Sequence, residues 1–238
     1  MPMLRWLILP LLAACATPPE AEVGKAGIVE TEPPPDCRPP APYGGYLFWM
    51  EDPSVAPGSS VSLFPWFTPQ PGVMEAVPEG CLRIDEVAGP GKLLEDGRTV
   101  LISADAASGE AVAVRGHIGE AKISGRIIVY EPAAMPLVGT WSQSAAECAG
   151  TEPLRELIFK GDGTFSATWT PFEVYKDYWG TYTFDEGQLT LVPDGGNHVP
   201  GDAILSGAVI LDGDSLDPGP GFFGSPPAGT RCDAPFRR

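Results

Sequence analysis

This 238-residue chain predicts an all-β fold, on three observations. Short runs of β-forming residues recur at a spacing of about 8–12 residues. Turn formers separate them, and the chain holds 29 Gly and 28 Pro. No stretch sustains an apolar period of about 3.6 residues for the length a helix needs. A mature chain of this size is expected to divide into two β units. The expected seam is Glu131-Pro132-Ala133-Ala134-Met135-Pro136, where two prolines bracket small residues.

The N-terminal segment reads as an address rather than as part of the fold. Arg5 supplies a positive head, and Trp6 to Ala14 supply an apolar run. That run falls short of the ~20 residues a membrane span requires. A charged head, a short apolar body and a small-residue exit are the marks of a secretory signal peptide. Leu12-Ala13-Ala14-Cys15 resembles the bacterial lipobox, in which the Cys becomes the lipidated first residue of the mature chain. The resemblance makes residues 1–14 a signal peptide and Cys15 the lipidation site, and it anchors the protein to the membrane by its acyl chains. Ala16 follows the Cys. In Gram-negative lipoproteins that similarity implies the outer membrane, facing the periplasm or the cell surface. Ordinary cleavage after Ala16 is the competing reading. Residues 15–42, with ATPPEAE and TEPPPDCRPPAP, read as a Pro- and Glu-rich tether, semi-extended for lack of apolar periodicity.

The first unit is expected over residues 43–132. Its strands are read in GYLFWM, SVSLFPWF, CLRIDEV, TVLISA, AVAVRGHI and KISGRIIVYE. The turns are Ala56-Pro57-Gly58, Gly89-Pro90-Gly91, Asp96-Gly97 and Ser108-Gly109. A period of two puts Val112, Val114 and Ile118 on one face, and Ile123, Ile127 and Val129 on another. The run APGSSVSL, followed by LLEDGRTVLISADAASGEAVAVRG, resembles bacterial immunoglobulin-like surface domains, which implies a β-sandwich.

The second unit, residues 133–238, opens with Leu137-Val138-Gly139-Thr140-Trp141. A Gly-x-Trp in the first strand resembles lipocalin-like barrels, where the Trp packs across the closed end. IFKGDGTFSATW and YWGTYTFDEGQLTLV resemble small bacterial lipocalin-like domains, and the related META-type domains are a second candidate. The resemblance implies a small antiparallel β-barrel with short strands. The predicted architecture is therefore an Ig-like β-sandwich followed by a lipocalin-like barrel.

Four further cysteines, Cys37, Cys81, Cys148 and Cys232, read as two disulfides in an exported chain. Three pairings exist. Cys37–Cys81 and Cys148–Cys232 keep each bond within one unit. In a closed antiparallel barrel the first and last strands are neighbours, which suits the second pair. Metal binding is disfavoured, because no two cysteines have C-x2-C spacing and His117 and His198 are isolated. With 15 Lys and Arg against 31 Asp and Glu, the net charge of −16 speaks against nucleic acid as a partner.

Signatures of catalysis are missing from the sequence: H-E-x-x-H, the P-loop and G-x-S-x-G do not occur. No catalytic residue, metal or cofactor is expected. Asp212, Asp214 and Asp217 read as a turn, and they miss the calcium-loop pattern. Glu173, Asp177 and Asp185 offer carboxylates for a glycosidase pair, as acidic chains do by chance. The conspicuous feature is aromatic. Trp169, Phe172, Tyr175, Tyr178, Trp179 and Tyr182 crowd one hairpin. Alternation places Tyr178 and Tyr182 on one face and Trp179 on the other. They are the expected ligand-binding set at a barrel mouth, since Tyr and Trp join apolar area to a polar handle. Core filling is the plainer reading of the same residues. The expected function is a non-enzymatic, lipid-anchored envelope protein that binds a small apolar ligand or an envelope protein. A periplasmic inhibitor or assembly factor inserting loop 171–177 is the alternative, and a cryptic hydrolase is a third.

Overall fold

The computed structural model describes residues 37, 46–49, 53–70, 73–170 and 175–238. The expected leader, Cys15, most of the tether and Phe172 lie outside the described residues. The fold is all-β, and no helix occurs among the described residues.

The first half carries β1 (Tyr46–Trp49), β2 (Ser54–Val55), β3 (Ser60–Ser62), β4 (Pro65–Gln70) and β5 (Val73–Ala76). It continues with β6 (Leu82–Ala88), β7 (Gly91–Leu93), β8 (Thr99–Ile102), β9 (Ala111–Ile118) and β10 (Ala121–Val129). One sheet has the order β2-β10-β9-β6, a second β3-β8-β7 and a third β1-β4-β5. The pairs are antiparallel except β2 with β10, which run parallel. Val61, Leu93, Val100 and Ile102 from one sheet pack with Val55, Ile84, Val112, Val114, Ile127 and Val129 from the other. The core thus lies between two sheet faces, as alternating inward side chains require.

The expected turns recur in the structure with their chemistry. Asp96 Oδ1 accepts hydrogen bonds from the backbone N–H groups of Arg98 and Thr99, and Gly97 takes a positive φ of 70°. One expected strand is corrected. SVSLFPWF is not continuous but divides between β3 and β4, which belong to different sheets. Pro65, with no N–H to give a ladder, begins the new strand where Leu63 still donates to Arg98 O. The strands β2, β5 and β7 hold two to four residues each. They are too short to show a period.

The second half carries β11 (Gly139–Trp141), β12 (Glu156–Phe159), β13 (Thr164–Thr168), β14 (Tyr178–Asp185) and β15 (Gln188–Gly196). It ends with β16 (Ser206–Ala208), β17 (Ile210–Asp212), β18 (Ser215–Asp217) and β19 (Phe236–Arg237). The first six form one antiparallel sheet in sequence order, and the last three form another. Two features join the sheets. The chain passes from β16 to β17 through the single residue Val209, whose N–H donates to Gly187 O at 2.8 Å. Ser142 and Arg237 exchange two backbone hydrogen bonds, each 2.8 Å, between the first and last strands.

One apolar core fills the space these strands surround. Trp141, Leu157, Phe159, Phe165, Trp169, Tyr178, Leu189 and Leu216 are essentially inaccessible. Phe222 and Phe223 enter the same core from the segment between β18 and β19. Gly219, Gly221 and Gly224 around them all have φ near +80° (76°, 81° and 82°), a backbone that glycine adopts freely. Trp141 donates its indole N–H to Leu137 O at 2.8 Å, and the Arg238 guanidinium lies 4.6 Å from its ring centroid. Arg238 also bonds Asp214 Oδ1 and Pro136 O, each at 3.1 Å.

The two halves touch at the β12–β13 turn. Gly161 N donates to Ser54 Oγ at 2.9 Å, and Arg126 pairs with Asp162 at 3.5 Å. A Cβ on Gly161 would stand 2.7 Å from Tyr130 Cβ, so only glycine permits that approach.

Both expected disulfides are present. Cys37 bonds Cys81 and Cys148 bonds Cys232, with Cα separations of 5.2 and 5.4 Å. The second spans 84 residues. In the chain-entropy account a loop of that length stabilises the fold by about 4.5 kcal/mol. The double variant Cys148→Ser/Cys232→Ser is therefore expected to lose about 3–5 kcal/mol in urea unfolding. An unchanged midpoint would show that the bond constrains nothing.

Candidate functional site: the aromatic hairpin

β13 and β14 pair antiparallel, with Ser166 opposite Trp179 and Ala167 opposite Tyr178. Strand alternation then sorts the aromatics. Tyr178 and Tyr182 point into the core and are almost fully buried, as is Trp169. Trp179 points outward and is 41% exposed, and Tyr175 is 38% exposed. Three of the six aromatics expected at a mouth therefore serve as core. Their polar ends are satisfied inside the fold. Tyr178 OH donates to Phe223 O and Tyr182 OH to Lys160 O, both at 3.0 Å. The cavity beside Trp169 and Phe222 measures about 20 Å³, room for roughly one water.

Asp177 organises the hairpin base. Its carboxylate is buried, and Oδ2 accepts the Trp169 backbone N–H at 2.7 Å while Oδ1 accepts the Tyr175 hydroxyl at 3.0 Å. Its own N–H donates to Ala167 O, and its carbonyl accepts the His198 N–H. Asn197 Nδ2 donates to Lys176 O at 3.1 Å. Residues 175–177 are thus stapled to 196–198, against a Gly196 whose added Cβ would meet Asp177 O at 2.4 Å. The hydrogen bond to Asp177 pushes the Tyr175 phenol above its ordinary range. Burial, and then the nearby carboxylates of Asp177 and Asp162 respectively, push the Tyr178 and Tyr182 phenols far above theirs.

The outer face beside this base is apolar. Trp179 lies flat over Gly195, where a Cβ would come within 2.7 Å of the indole nitrogen. A register shift between Trp179 and Gly180 bends β14 here. Val192 stands opposite Thr181, while the β15–β16 register ends at Thr190–Ser206, before Leu205 with its φ of 62°. Val192 and Ile204 are 57% and 58% exposed. Ser166 and Thr168, on the neighbouring strand, have buried hydroxyls with no partner among the described residues.

The remaining candidate groups disperse. Ser225 Oγ donates to Asp202 Oδ2 at 2.6 Å, which holds that carboxyl below its usual range, while His198 Nε2 meets the Ser225 carbonyl at 3.0 Å. The histidine therefore meets the Ser225 carbonyl and not its hydroxyl. Asp177 and Asp185 lie at opposite ends of β14, about 25 Å apart along the strand. Asp214 holds Arg238, and Asp217 accepts the Gly219 N–H. His117 Nδ1 lies 3.0 Å from Asp85 Oδ2 on the outside of β9. No group of three metal-ligating side chains occurs among the described residues.

No protein-family model matches this chain. No curated protein and no solved structure matches it either. Its site is therefore argued from its own geometry. The sequence did not mark Asp177 as the organiser, since an acidic residue entering a strand is ordinary. Phe222 and Phe223 carried a fainter signal: an apolar pair set among glycines and prolines in an otherwise polar tail.

Two outcomes follow from the buried polar groups. In the folded protein the Tyr178 and Tyr182 phenols stay protonated, whereas in the unfolded chain they ionise near pH 10. Their contribution to stability is complete below about pH 10 and is lost as pH rises further. Urea midpoints should hold steady to about pH 9 and fall above about pH 10; a midpoint constant to about pH 12 contradicts this. Asp177→Asn should cost about 2 kcal/mol, because one of the two oxygens that accept from the Trp169 N–H and the Tyr175 hydroxyl becomes an amide donor. Titration of the Tyr175 phenol by absorbance should then move down toward its ordinary value.

Proposed function

We propose that the protein is a non-enzymatic, lipid-anchored envelope protein that docks a protein partner on the outside of its C-terminal unit. The docking surface is the outer face formed by Tyr175, Trp179 and Val192. One observation carries this reading: the interior is already occupied. Phe222 and Phe223 fill the space where an apolar ligand would sit, and the adjoining cavity holds about one water. A small apolar ligand inside the fold gains no support from that packing. An outward Trp beside an exposed aliphatic side chain, on a base fixed by Asp177, is instead the kind of rigid aromatic anchor that dominates protein interfaces.

The finer fold reading belongs here as well. In the first half, seven strands face one another in two sheets, β2-β10-β9-β6 and β3-β8-β7, an order that supports an Ig-like sandwich. The hairpin β4–β5 is an excursion between β3 and β6. In the second half, β16 and β17 count as one interrupted strand. The circuit from β11 to β19 then has eight members, returning to its start through Ser142 and Arg237. That circuit, with Trp141 under Arg238 at one end, supports a filled lipocalin-like barrel. A division into 43–132 and 133–238 is supported by one apolar cluster drawn from residues 55–129 and another from 135–236, with a third, smaller cluster around Phe67, Cys81, Ile118 and Ile123 on which Cys37 packs.

Export and anchoring rest on the leader and on the disulfides. Disulfides persist in oxidising compartments. The lipobox-like Leu12-Ala13-Ala14-Cys15 then makes Cys15 the acylated residue, with the envelope as the location. The filled interior favours the protein-docking half of this reading, as inhibitor or assembly factor, over storage of a ligand.

The test has two arms. A photo-crosslinking residue placed at Thr181, within the outer face, should trap one envelope protein in cells, and Trp179→Ala should reduce that adduct about tenfold or more. Equal trapping from Thr181 and from a site on the first half would count against a specific surface. Cys15→Ser should shift the protein from the membrane fraction to the soluble one. Retention in the membrane would remove the anchor from the proposal.

A further inference from the structure

Two halves of a chain joined by a small contact move relative to one another by default. Two groups of residues bear on that motion here. The first is the connecting segment Glu131–Pro136, which holds no glycine. Met135 N donates to Glu131 O at 2.9 Å and Ala134 N to the same oxygen at 3.1 Å, so the segment is folded into one turn. Its ends belong to different halves. Glu131 N donates to Ser108 Oγ at 3.2 Å in the first, while Met135 packs against the core of the second. Pro132, Ala133 and Ala134 between them are exposed. Proline fixes its own φ, which leaves Ala133 and Ala134 as the pivot.

The second group is the β12–β13 turn. It is braced from within: Lys160 N donates to Thr164 O at 2.9 Å, and Asp162 Oδ1 accepts the Thr164 N–H at 3.1 Å and its hydroxyl at 2.6 Å. Tyr182 OH, donating to Lys160 O, ties the turn to β14. It therefore meets the first half as one piece. A Cβ on Gly161 would stand 2.7 Å from Tyr130 Cβ and 3.3 Å from Ile128 Cγ2. Tyr130 Cβ is fixed to its backbone and cannot swing aside, so the approach is a close fit. Gly161 N donates to Ser54 Oγ at 2.9 Å across the same contact. The Arg126–Asp162 pair is long at 3.5 Å, and its side chains are 54% and 29% exposed, so solvent screens it and it adds little. Close approach, not charge, sets the hold.

We propose that the two halves form a latched elbow, with the β12–β13 turn as the latch and Ala133–Ala134 as the pivot. While Gly161 is seated against Tyr130 the halves move as one body. When that approach is blocked they swing independently, each keeping its own fold. The device stands whether or not the outer face of Trp179 binds a partner.

Amide residual dipolar couplings of the purified mature protein, weakly aligned in solution, test this. Couplings from both halves should fit one alignment tensor. In Gly161→Val each half should still fit a tensor of its own, which shows it folded, but the two tensors should differ in magnitude. Gly161 does not use a left-handed φ, so the side chain acts through the contact and not through backbone strain. Should the valine variant fail to fold, Gly161→Ala makes the same intrusion on a smaller scale and should separate the tensors likewise. Gly201→Ala, where an added Cβ meets nothing within 4 Å, should keep the single tensor. Arg126→Ala should keep it too. Two tensors in the unaltered protein, or one tensor in the folded Gly161 variants, overturns the proposal. Separation in Arg126→Ala as complete as in Gly161→Val shows that charge holds the halves, and overturns the latch as assigned.

Discussion

The exchange of two hydrogen bonds between Ser142 and Arg237 governs the second half of the molecule. It sets the last strand beside the first, and several otherwise unrelated features follow. Cys148, just beyond β11, comes within bonding distance of Cys232, just before β19. Arg238 is carried over the Trp141 ring, where its guanidinium adds about 0.5–2 kcal/mol of cation–π attraction. Gly139 has φ at +139°, a backbone that side chains rarely adopt, while an added Cβ would be in ordinary contact with Arg238 at 4.0 Å. Gln143 is fixed as well. Its amide donates to Cys232 O and Ala234 O and accepts from Leu154 N, so a buried polar side chain is fully used. Without the strand pairing, each of these groups would be a liability.

Enclosure creates an interior, and the segment between β18 and β19 fills it. Phe222 and Phe223 pack edge-on to each other at 5.2 Å, and Phe223 meets Phe236 at the same distance. Aromatic pairs of this geometry add to burial. The segment is also tied by backbone: Leu205 N donates to Phe222 O, and Tyr178 OH to Phe223 O. Trp169 belongs to that core, whereas Trp179, from the same cluster in the sequence, faces outward.

Regular alternation was the legible part. Val112, Val114 and Ile118 on β9, and the division of Tyr178 and Tyr182 from Trp179 on β14, follow from a period of two. Both were readable because each strand is eight residues long. The pairing of Cys148 with Cys232 was readable from the bounds of the second unit, whereas Cys37 lies in the expected tether, ahead of the unit that holds Cys81. Features made by contacts between distant segments were not. The Arg238–Trp141 stack joins residues 97 positions apart (238 − 141), and no local pattern announces it. Asp177 draws its meaning from the Trp169 N–H and the Tyr175 hydroxyl, so it looks ordinary until the hairpin closes. The β3–β4 break was hidden because SVSLFPWF is rich in β-formers on both sides of Pro65, and strand propensity does not say which sheet a strand joins.

The two ends of β10 give the molecule a direction. At one end, the β9–β10 turn lies against Cys37, where a Cβ on Gly119 would sit 3.2 Å from Cys37 O. At the other, Ile128 and Tyr130 receive the Gly161 turn of the second half. The nine residues of β10 therefore separate the two attachment points by about 25–30 Å. The turn that touches the first half adjoins the same end of the strand circuit as Gly139, which pairs with Phe159. The segments around Asp177, His198 and Phe222 cluster at the opposite end, where His198 meets both Trp169 and the Ser225 carbonyl.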